Sequence, residues 1–590
     1  MSSWSNRRKA LVLFGLGLLV YGFGIGHEFY FDDLTYISQN PLLQRHDAFR
    51  VFWFTSAAFN YYPLFWSLLR VQWLLWGNNP AGYQLVTLLA HCLNGVLLWR
   101  IALKFRLPGA WWIGALFIVH PINVQTVAWA AEQKNTWSFL FMALTVLAYI
   151  KYTELNDWRS YALALGCFVA SLACKTSTVC LPIFLVLCHG FDQQKSWRKL
   201  LGLIPFFAAA VVAGITTMWF EQNRVDAKSL ISALSWWGRL KMAGATFWVY
   251  LEKAILPVQL SPMYRGWVDA TAAAHTAVPL FFLIVMLALC ALTWRRIGAP
   301  IAFGVVFYFV MLLPLLGLFD TRYFIYSLVA DHWQYHALPG LLVAVVSASS
   351  MVAPMFAPVM RYRQALATLA VTGLAILASI HLAHFDSARS LWTYTVRQNP
   401  DAWIAWYNLG NDHADGGEYA EAIADYRASL RSKPDSYSTH FNLANILTTT
   451  NQLEEADREY CQARNISPEA PDNYVNRGVL LLRMQRQAEA VEEFLCALEL
   501  DPEQSSAQIN LIAVYLRTGR VNDAFSYLHA ASLHDARNSR RVANAIAASL
   551  AQQTHPNDVL KRFAFRACEL SGNQPDLRAV VALVENQRTN

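Results

Sequence analysis

Five asparagines, Asn408, Asn442, Asn476, Asn510 and Asn544, stand 34 residues apart. Ala422, Ala456, Ala490 and Ala524 keep the same interval, and so do Pro400, Pro434, Pro468 and Pro502. A 34-residue period with helix–turn–helix patterning is the tetratricopeptide repeat, a helical hairpin that stacks into a solenoid. The small Ala lets the two helices of a unit approach, and Pro punctuates the turn to the next unit. Three ladders in phase leave residues 386–556 little choice but an α-solenoid. Residues 557–590, where the ladders stop, read as a polar helical cap. Pro400 and Ala388 carry the phase backwards, so residues 387–398 are expected to form the second helix of a half repeat.

The first 385 residues are of a different kind. Long apolar runs recur there, separated by short basic or polar segments, whereas nothing after them is long and apolar enough to span a bilayer. The charge divides the same way. Residues 1–400 hold 29 Lys+Arg against 15 Asp+Glu, and residues 401–590 hold 18 against 25. The basic balance therefore belongs to the apolar half, at the ends of its runs, and points to membrane orientation rather than nucleic-acid binding. Arg7, Arg8 and Lys9 put the N-terminus in the cytosol ahead of an uncleaved first span at about 10–26. Ten further spans are expected, at about 82–102, 109–120, 136–150, 160–173, 177–190, 200–219, 276–293, 299–317, 335–353 and 364–383. Residues 48–76 hold no clean apolar run and are expected to lie at the interface, and the amphipathic 238–256, whose crossing would put Arg295 and Arg296 outside, is expected to be interfacial or re-entrant. With this topology, Lys104, Arg106, Lys151, Arg159, Lys199, Arg295, Arg296 and Arg363 fall inside. Asp32, Asp33, Glu132, Asp320 and Asp331 fall outside, with the repeats. Of the nine Cys, six lie in apolar runs and the rest lack metal-ligand spacing, so no disulfide framework is expected.

Chemistry gathers on the outer face. Asp32 and Asp33 follow the first span directly, boxed in by Phe29, Tyr30, Phe31 and Tyr36. Adjacent acids beside a membrane helix are costly unless they face water, a cation or a substrate. His120-Pro121 opens a stretch that carries Glu132 and Lys134. Lys175 sits between two apolar runs. Arg322 and the Asp331-His332 pair lie between two late spans. Basic groups at a membrane–water boundary suit a lipid phosphate, and a carboxylate nearby can take a proton from an attacking hydroxyl. Each residue also has a plain structural reading: an interfacial His, a snorkelling Lys, a solvated Arg. Their convergence on one face with the Asp pair favours function. No P-loop, GxGxxG, HExxH or Ser-His-Asp signature is present, which argues against an ATP-driven or zinc enzyme.

The stretch YFDDLTYISQNPLLQ at residues 30–44 resembles the first outer loop of the transmembrane and tetratricopeptide-repeat-containing protein O-mannosyltransferases and their bacterial relatives. The resemblance continues through YYPLFWSLLRVQWLLWGNNPAGYQLVTLLAHCLNG, HPINVQTVAWAAEQKNTWSFLFMALTVLAYIKY, SLACKTSTVCLPIFLVL and SARSLWTYTVRQNPDAWIAWYNLGN, covering most of residues 25–415. It implies a GT-C glycosyltransferase module, in which a sugar leaves a polyprenyl-phosphate carrier for an extracytoplasmic acceptor. It maps the family's catalytic acids onto Asp32 and Asp33. One departure stands out: the family's stretch like ADRYLYLP reads ADHWQYHALP here, with His332 where an Arg is expected. A phosphate contact made through that Arg would here be weaker, pH-dependent, or moved to Arg322.

Together these readings give an all-α chain with a polytopic membrane module at 1–385, a repeat solenoid at 386–556 and a cap at 557–590. The expected function is inverting sugar transfer from a polyprenyl-phosphate donor to Ser or Thr hydroxyls of periplasmic proteins at a bacterial inner membrane. For a eukaryotic chain the equivalent is the endoplasmic reticulum membrane, with lumenal repeats. Asp32 and Asp33 are the expected catalytic acids, and Lys175, Arg322 and His332 the donor-phosphate contacts. His120, Glu132, Lys134 and Asp331 are further candidates. A divalent cation is a candidate cofactor, and no nucleic-acid partner is expected. The alternatives are transfer to a lipid or glycan, and a non-enzymatic membrane-anchored scaffold. Counting from Gly410 and Ala422 as eighth and twentieth positions, the five ladder asparagines take the sixth position, on each first helix. There their amides would line the concave groove and pair with an extended acceptor backbone. Such a row resembles the asparagine ladder of the nucleocytoplasmic O-GlcNAc transferase.

Overall fold

The computed structural model describes residues 5–190, 197–224, 231, 233–264, 276–352, 362–520, 522–524 and 526–527. Asn544 and residues 557–590 lie outside the described residues. Among the described residues every regular element is a helix. The chain divides into two compact units, the first ending at Asn408 and the second beginning at Leu409, within the helix Trp403–Asp415.

Among the described residues of the first unit, five helices are long and apolar enough to cross a membrane: Pro80–Lys104, Ala130–Leu155, Lys199–Asn223, Val278–Ile297 and Arg363–Phe385. A sixth candidate is the pair Ala110–Val119 and Pro121–Ala128, bent by 50°. Shorter apolar helices occupy Asn6–Tyr21, Trp158–Cys174, Thr176–Cys188, Ala299–Leu315 and Leu338–Met351. Each of the eleven expected spans therefore has a helix, but among the described residues at most six reach crossing length. The 238–256 segment expected at the interface falls in the helix Trp236–Ile255, which is not among those six.

Glycines set the closest crossings. A Cβ on Gly114 would stand 2.8 Å from the Gly95 carbonyl, so the helices Pro80–Lys104 and Ala110–Val119 touch backbone to backbone. Gly304 and Gly340 do the same for Ala299–Leu312 and Leu338–Val352, because a Cβ on either would overlap the other's carbonyl. Small residues at such crossings let membrane helices pack closely where no hydrophobic driving force exists between them.

Two helix breaks serve the site. Pro121 cannot donate to the preceding turn, so the helix stops at Val119 and restarts at an angle. His120 stabilises this break. Its Nδ1 accepts from Ile122 N at 3.3 Å and its Nε2 lies 3.0 Å from the Ala254 carbonyl, the tautomer following from these partners. The second break falls at Lys175. Ser171 Oγ donates to Ser138 O at 2.7 Å and Ser138 Oγ to Lys175 O at 3.2 Å, joining the helices Gln133–Leu155 and Trp158–Cys174. These bonds set Lys175 near the start of the helix Gln133–Leu155.

In the second unit, helices Tyr419–Ser432, Tyr437–Thr449, Leu453–Ile466, Pro471–Arg483, Gln487–Leu500 and Ser505–Arg517 follow the sequence period. Ala422, Ala456, Ala490 and Ala524 are all fully buried, as close packing of paired helices requires.

Candidate functional site

The acidic loop is anchored before it reaches the aspartates. Gly26 N donates to Gln84 Oε1 at 2.7 Å, and Gln84 Nε2 donates to His27 O at 2.9 Å. Phe31 then adopts φ of 52°, a left-handed backbone that a bulky residue keeps only when its surroundings hold it there. A wide helical turn, Leu34–Ser38, follows.

This path gives the two acids different surroundings. Asp33 is fully buried, and its Oδ1 accepts from Ala131 N at 2.6 Å. Its Oδ2 has no partner among the described residues. Burial holds its carboxyl well above the usual range, against the lowering effect of the Ala131 N–H. Asp32 is half-buried, and its side chain makes no hydrogen bond or ion pair among the described residues. Burial raises its pKa too, while Lys134 and Arg322 pull it down and Glu132 pushes it up.

The groups around Asp32 form one network. Lys134 Nζ lies 2.7 Å from Glu132 Oε1 and 4.9 Å from the centre of the Tyr36 ring. Glu132 Oε2 accepts from Asn135 Nδ2 at 2.7 Å and stands 3.5 Å from Lys175 Nζ and 3.8 Å from His332 Nε2. Lys175 also donates to Asn135 Oδ1 at 2.7 Å. Lys175 is thus buried and engaged by Glu132 and Asn135, and Lys134 is the lysine whose charge reaches Asp32. Arg322 has an exposed side chain, and its backbone N–H donates to Glu221 Oε2 at 2.8 Å.

Behind the network stand residues with structural partners. His332 is buried, its backbone N–H donating to Gln125 Oε1 at 3.3 Å, and burial pushes its ring pKa down to about 3. A neutral imidazole therefore stands at the position where the sequence resemblance led one to expect an Arg. Asp331 accepts from Tyr264 OH at 2.6 Å, and burial raises its pKa to about 7. His120 serves the helix break, bonded to Ile122 and Ala254 rather than to either acid.

An apolar cavity of about 320 Å³ opens between the helices Pro80–Lys104, Gln133–Leu155, Ala299–Leu312 and Leu338–Val352. Its walls include Phe139, Leu181, Phe184, Phe303, Phe307 and Gly340. Phe139 lies one helical turn past Asn135, so the cavity begins close to the charged network. An elongated apolar group fits a space of this lining.

The sequence expectations did not single out Asn135, Gln125, Tyr264 or Trp129. A signal for the first two existed: Asn123, Gln125, Thr126, Gln133 and Asn135 crowd a stretch otherwise apolar, and all are buried. Polar side chains inside a membrane module are expensive and mark a site or its support.

In the repeat unit, Asn442 Nδ2 donates to Asn411 Oδ1 and Asn476 Nδ2 to Asn445 Oδ1, each at 2.9 Å. Asn408 Nδ2 donates to Ile404 O at 2.7 Å within its own helix. Asn510 has no side-chain partner among the described residues.

Models of the tetratricopeptide repeat match residues 381–437, 407–473 and 471–504. Whole-sequence comparison brings a second similarity. A Xenopus laevis protein named protein O-mannosyl-transferase tmtc2 is 26% identical over 258 residues, covering 40% of this chain and 28% of that protein. The Drosophila melanogaster protein O-mannosyl-transferase Tmtc2 is 31% identical over 144 residues, 22% of this chain and 15% of its own length. The human protein O-mannosyl-transferase TMTC2 is 29% identical over 177 residues, 28% of this chain and 21% of its own length. The chain is therefore similar, over part of its length, to proteins named as TMTC protein O-mannosyl-transferases. It aligns with little more than a quarter of the frog protein's length. Among the described residues, no group of three or more His, Cys, Asp or Glu gathers to hold a metal ion.

Proposed function

We propose that this chain is a membrane glycosyltransferase that moves a sugar from a polyprenyl-phosphate carrier to Ser or Thr hydroxyls of extracytoplasmic proteins. The observation that carries this reading is the contrast between the acids: Asp33 is fixed by Ala131, whereas Asp32 is left unpaired within the fields of Lys134 and Arg322. The relatives' names supply the reaction class, and the apolar cavity supplies room for part of a lipid chain.

In this reading Asp32 takes the proton of the acceptor hydroxyl as its oxygen forms a bond to the anomeric carbon. The bond from that carbon to the carrier phosphate breaks, and its electron pair leaves with the phosphate. Lys134 and Arg322 neutralise the charge that develops there, where a low dielectric makes each cation count. A single displacement of this kind inverts the anomeric centre. Asp33, anchored through its Oδ1, sets the turn that presents Asp32. Lys175 and His332 act through Glu132, which holds Lys134. A divalent cation, where the reaction uses one, would be held by Asp32, by Asp33 Oδ2 and by substrate oxygens. The repeats bind the acceptor protein along the face that carries the ladder asparagines. GT-C architecture, eleven crossings and repeats on the far side of the membrane belong to the same proposal.

The decisive experiment compares intact masses and glycopeptides of extracytoplasmic proteins from cells with and without this gene. Loss of a hexose-sized increment from Ser or Thr of specific proteins is expected. Identical glycopeptides in both cell lines would overturn the reading.

A further inference from the structure

The residues that lead into the repeats make more contact with the acidic loop than a tether needs. His27 Nδ1 lies 3.0 Å from the Phe385 carbonyl, and its Nε2 lies 3.3 Å from Asp386 Oδ1. Glu28 Oε1 accepts from Ala388 N at 2.5 Å, at the start of the helix Ala388–Gln398. The ring of Tyr30 stands 6.3 Å from that of Phe385. Phe31, directly before the two acids, has its ring 5.3 Å from Trp392, 5.5 Å from Trp129 and 5.9 Å from Tyr326. Trp392 is itself buried. Tyr326 in turn packs at 5.7 Å against Trp403, which opens the next helix.

These contacts converge on Phe31, the residue of the loop with left-handed backbone. That conformation brings the Cβ of a bulky side chain against its own carbonyl and persists only where packing over-determines it. Three aromatic rings enclose Phe31, and one of them belongs to the helix leading into the repeats. The peptide plane after Phe31 sets the direction of Asp32, and the turn after it sets Asp33.

We infer that Trp392 and Glu28 are positioning residues: the helix Ala388–Gln398 holds Phe31 in its left-handed conformation and thereby aims the Asp32–Asp33 pair. The catalytic consequence rests on the function proposed above. The geometric core does not, since it concerns only what keeps the loop in place. In this arrangement the helix that leads into the repeats is a wall of the acidic site and not a removable tether.

The test uses the full-length chain in nanodiscs with three variants, Trp392→Ala, Trp392→Phe and Glu28→Ala. Glu28 is exposed, so its variant folds even if Trp392→Ala does not. Hydrogen exchange is read by mass spectrometry on peptides covering residues 29–40, with the helix Gln487–Leu500 as internal control. Amides of the loop should exchange at least about 10-fold faster in Trp392→Ala and measurably faster in Glu28→Ala, with the control unchanged. Trp392→Phe should restore most of the protection. Sugar-transfer turnover at saturating donor should fall in step with the loss of protection, while the donor KM stays within about twofold. Wild-type exchange of the loop in both Trp392→Ala and Glu28→Ala overturns the inference, and Glu28→Ala decides alone if the other variant does not fold. A loosened loop with unchanged turnover leaves the positioning intact and removes the Asp pair from catalysis, which separates the two failures.

Discussion

Asp32 and Asp33 are adjacent in sequence yet differ in what they touch, and their substitutions should differ accordingly. Asp32→Asn removes the group assigned as base and should cost about 10²–10⁴-fold in turnover. Asp33→Asn keeps an oxygen for the Ala131 N–H and should lose less, so equal losses in the two variants would show that the roles are shared. In the proposed reaction the ionised form of Asp32 is the active one, and burial has already raised its pKa. Removing the Arg322 cation raises it further, so Arg322→Ala should move the acid limb of the pH profile of kcat/KM to higher pH. An unmoved limb would place Arg322 outside the field of the base. Asp331 offers a stability test. Its pKa of about 7 lies above that of an unfolded carboxylate, so the folded chain binds the extra proton between about pH 4 and 7. Stability should therefore fall as pH rises through that window, and Asp331→Asn should flatten the slope of melting temperature against pH. The aspartates could be read from sequence because two acids next to an apolar run are chemically conspicuous. That Lys134 and not Lys175 faces Asp32 could not be read, because it depends on how two helix breaks bring Glu132, Asn135 and Lys175 together.

Within the repeats the ladder asparagines belong to a larger pattern. Asn411 Oδ1 accepts from Tyr426 OH at 2.8 Å and from Asn442, and Asn445 Oδ1 accepts from Tyr460 OH at 2.6 Å and from Asn476. One period further on, both members change together: Val479 replaces the Asn and Phe494 replaces the Tyr, and the pair joins an apolar cluster. A buried hydroxyl without a partner is expensive, so the acceptor and the donor are lost as a pair. Asn445→Val alone should therefore cost about 1–3 kcal/mol of local stability in the helices Tyr437–Thr449 and Leu453–Ile466. Adding Tyr460→Phe should recover part of that loss, and hydrogen exchange of the two helices reads both numbers. Additive costs would mean that the two side chains do not act as a unit. The 34-residue period makes the solenoid legible. Asn411 and Tyr426 recur at that period too, but only contact between neighbouring helices reveals why they travel together.

For the chain as a whole, the geometry of the first unit bears on which side of the membrane carries the repeats. The helix Gln133–Leu155 starts at the acidic site, beside Lys134, and has 23 residues, so its far end is about 34 Å away. That distance is close to the thickness of a bilayer's hydrocarbon core, about 30 Å. Basic groups gather at the far end: Lys104 Nζ lies 3.1 Å from Glu154 Oε2, and Lys199 Nζ donates to Thr153 O at 3.1 Å. The end that carries Lys104 and Lys199 is thus separated from Lys134 and its acidic neighbours by one membrane thickness. In the proposed topology basic clusters stay in the cytosol, which puts the acidic site on the opposite face. An odd number of crossings then brings the repeats out on the same face as the acids, as eleven helices would, whereas six crossings would return them to the cytosol. Cys496 distinguishes the two outcomes without altering the chain, because it is exposed on the helix Gln487–Leu500. A membrane-impermeant maleimide added to intact spheroplasts should label Cys496, as mapped by peptide mass and absent from Cys496→Ser. Labelling that appears only after lysis would put the repeats in the cytosol. Because the helix Ala388–Gln398 packs against the acidic loop, that outcome would carry Asp32 and Asp33 to the cytosolic face as well, and the extracytoplasmic site would fall with it.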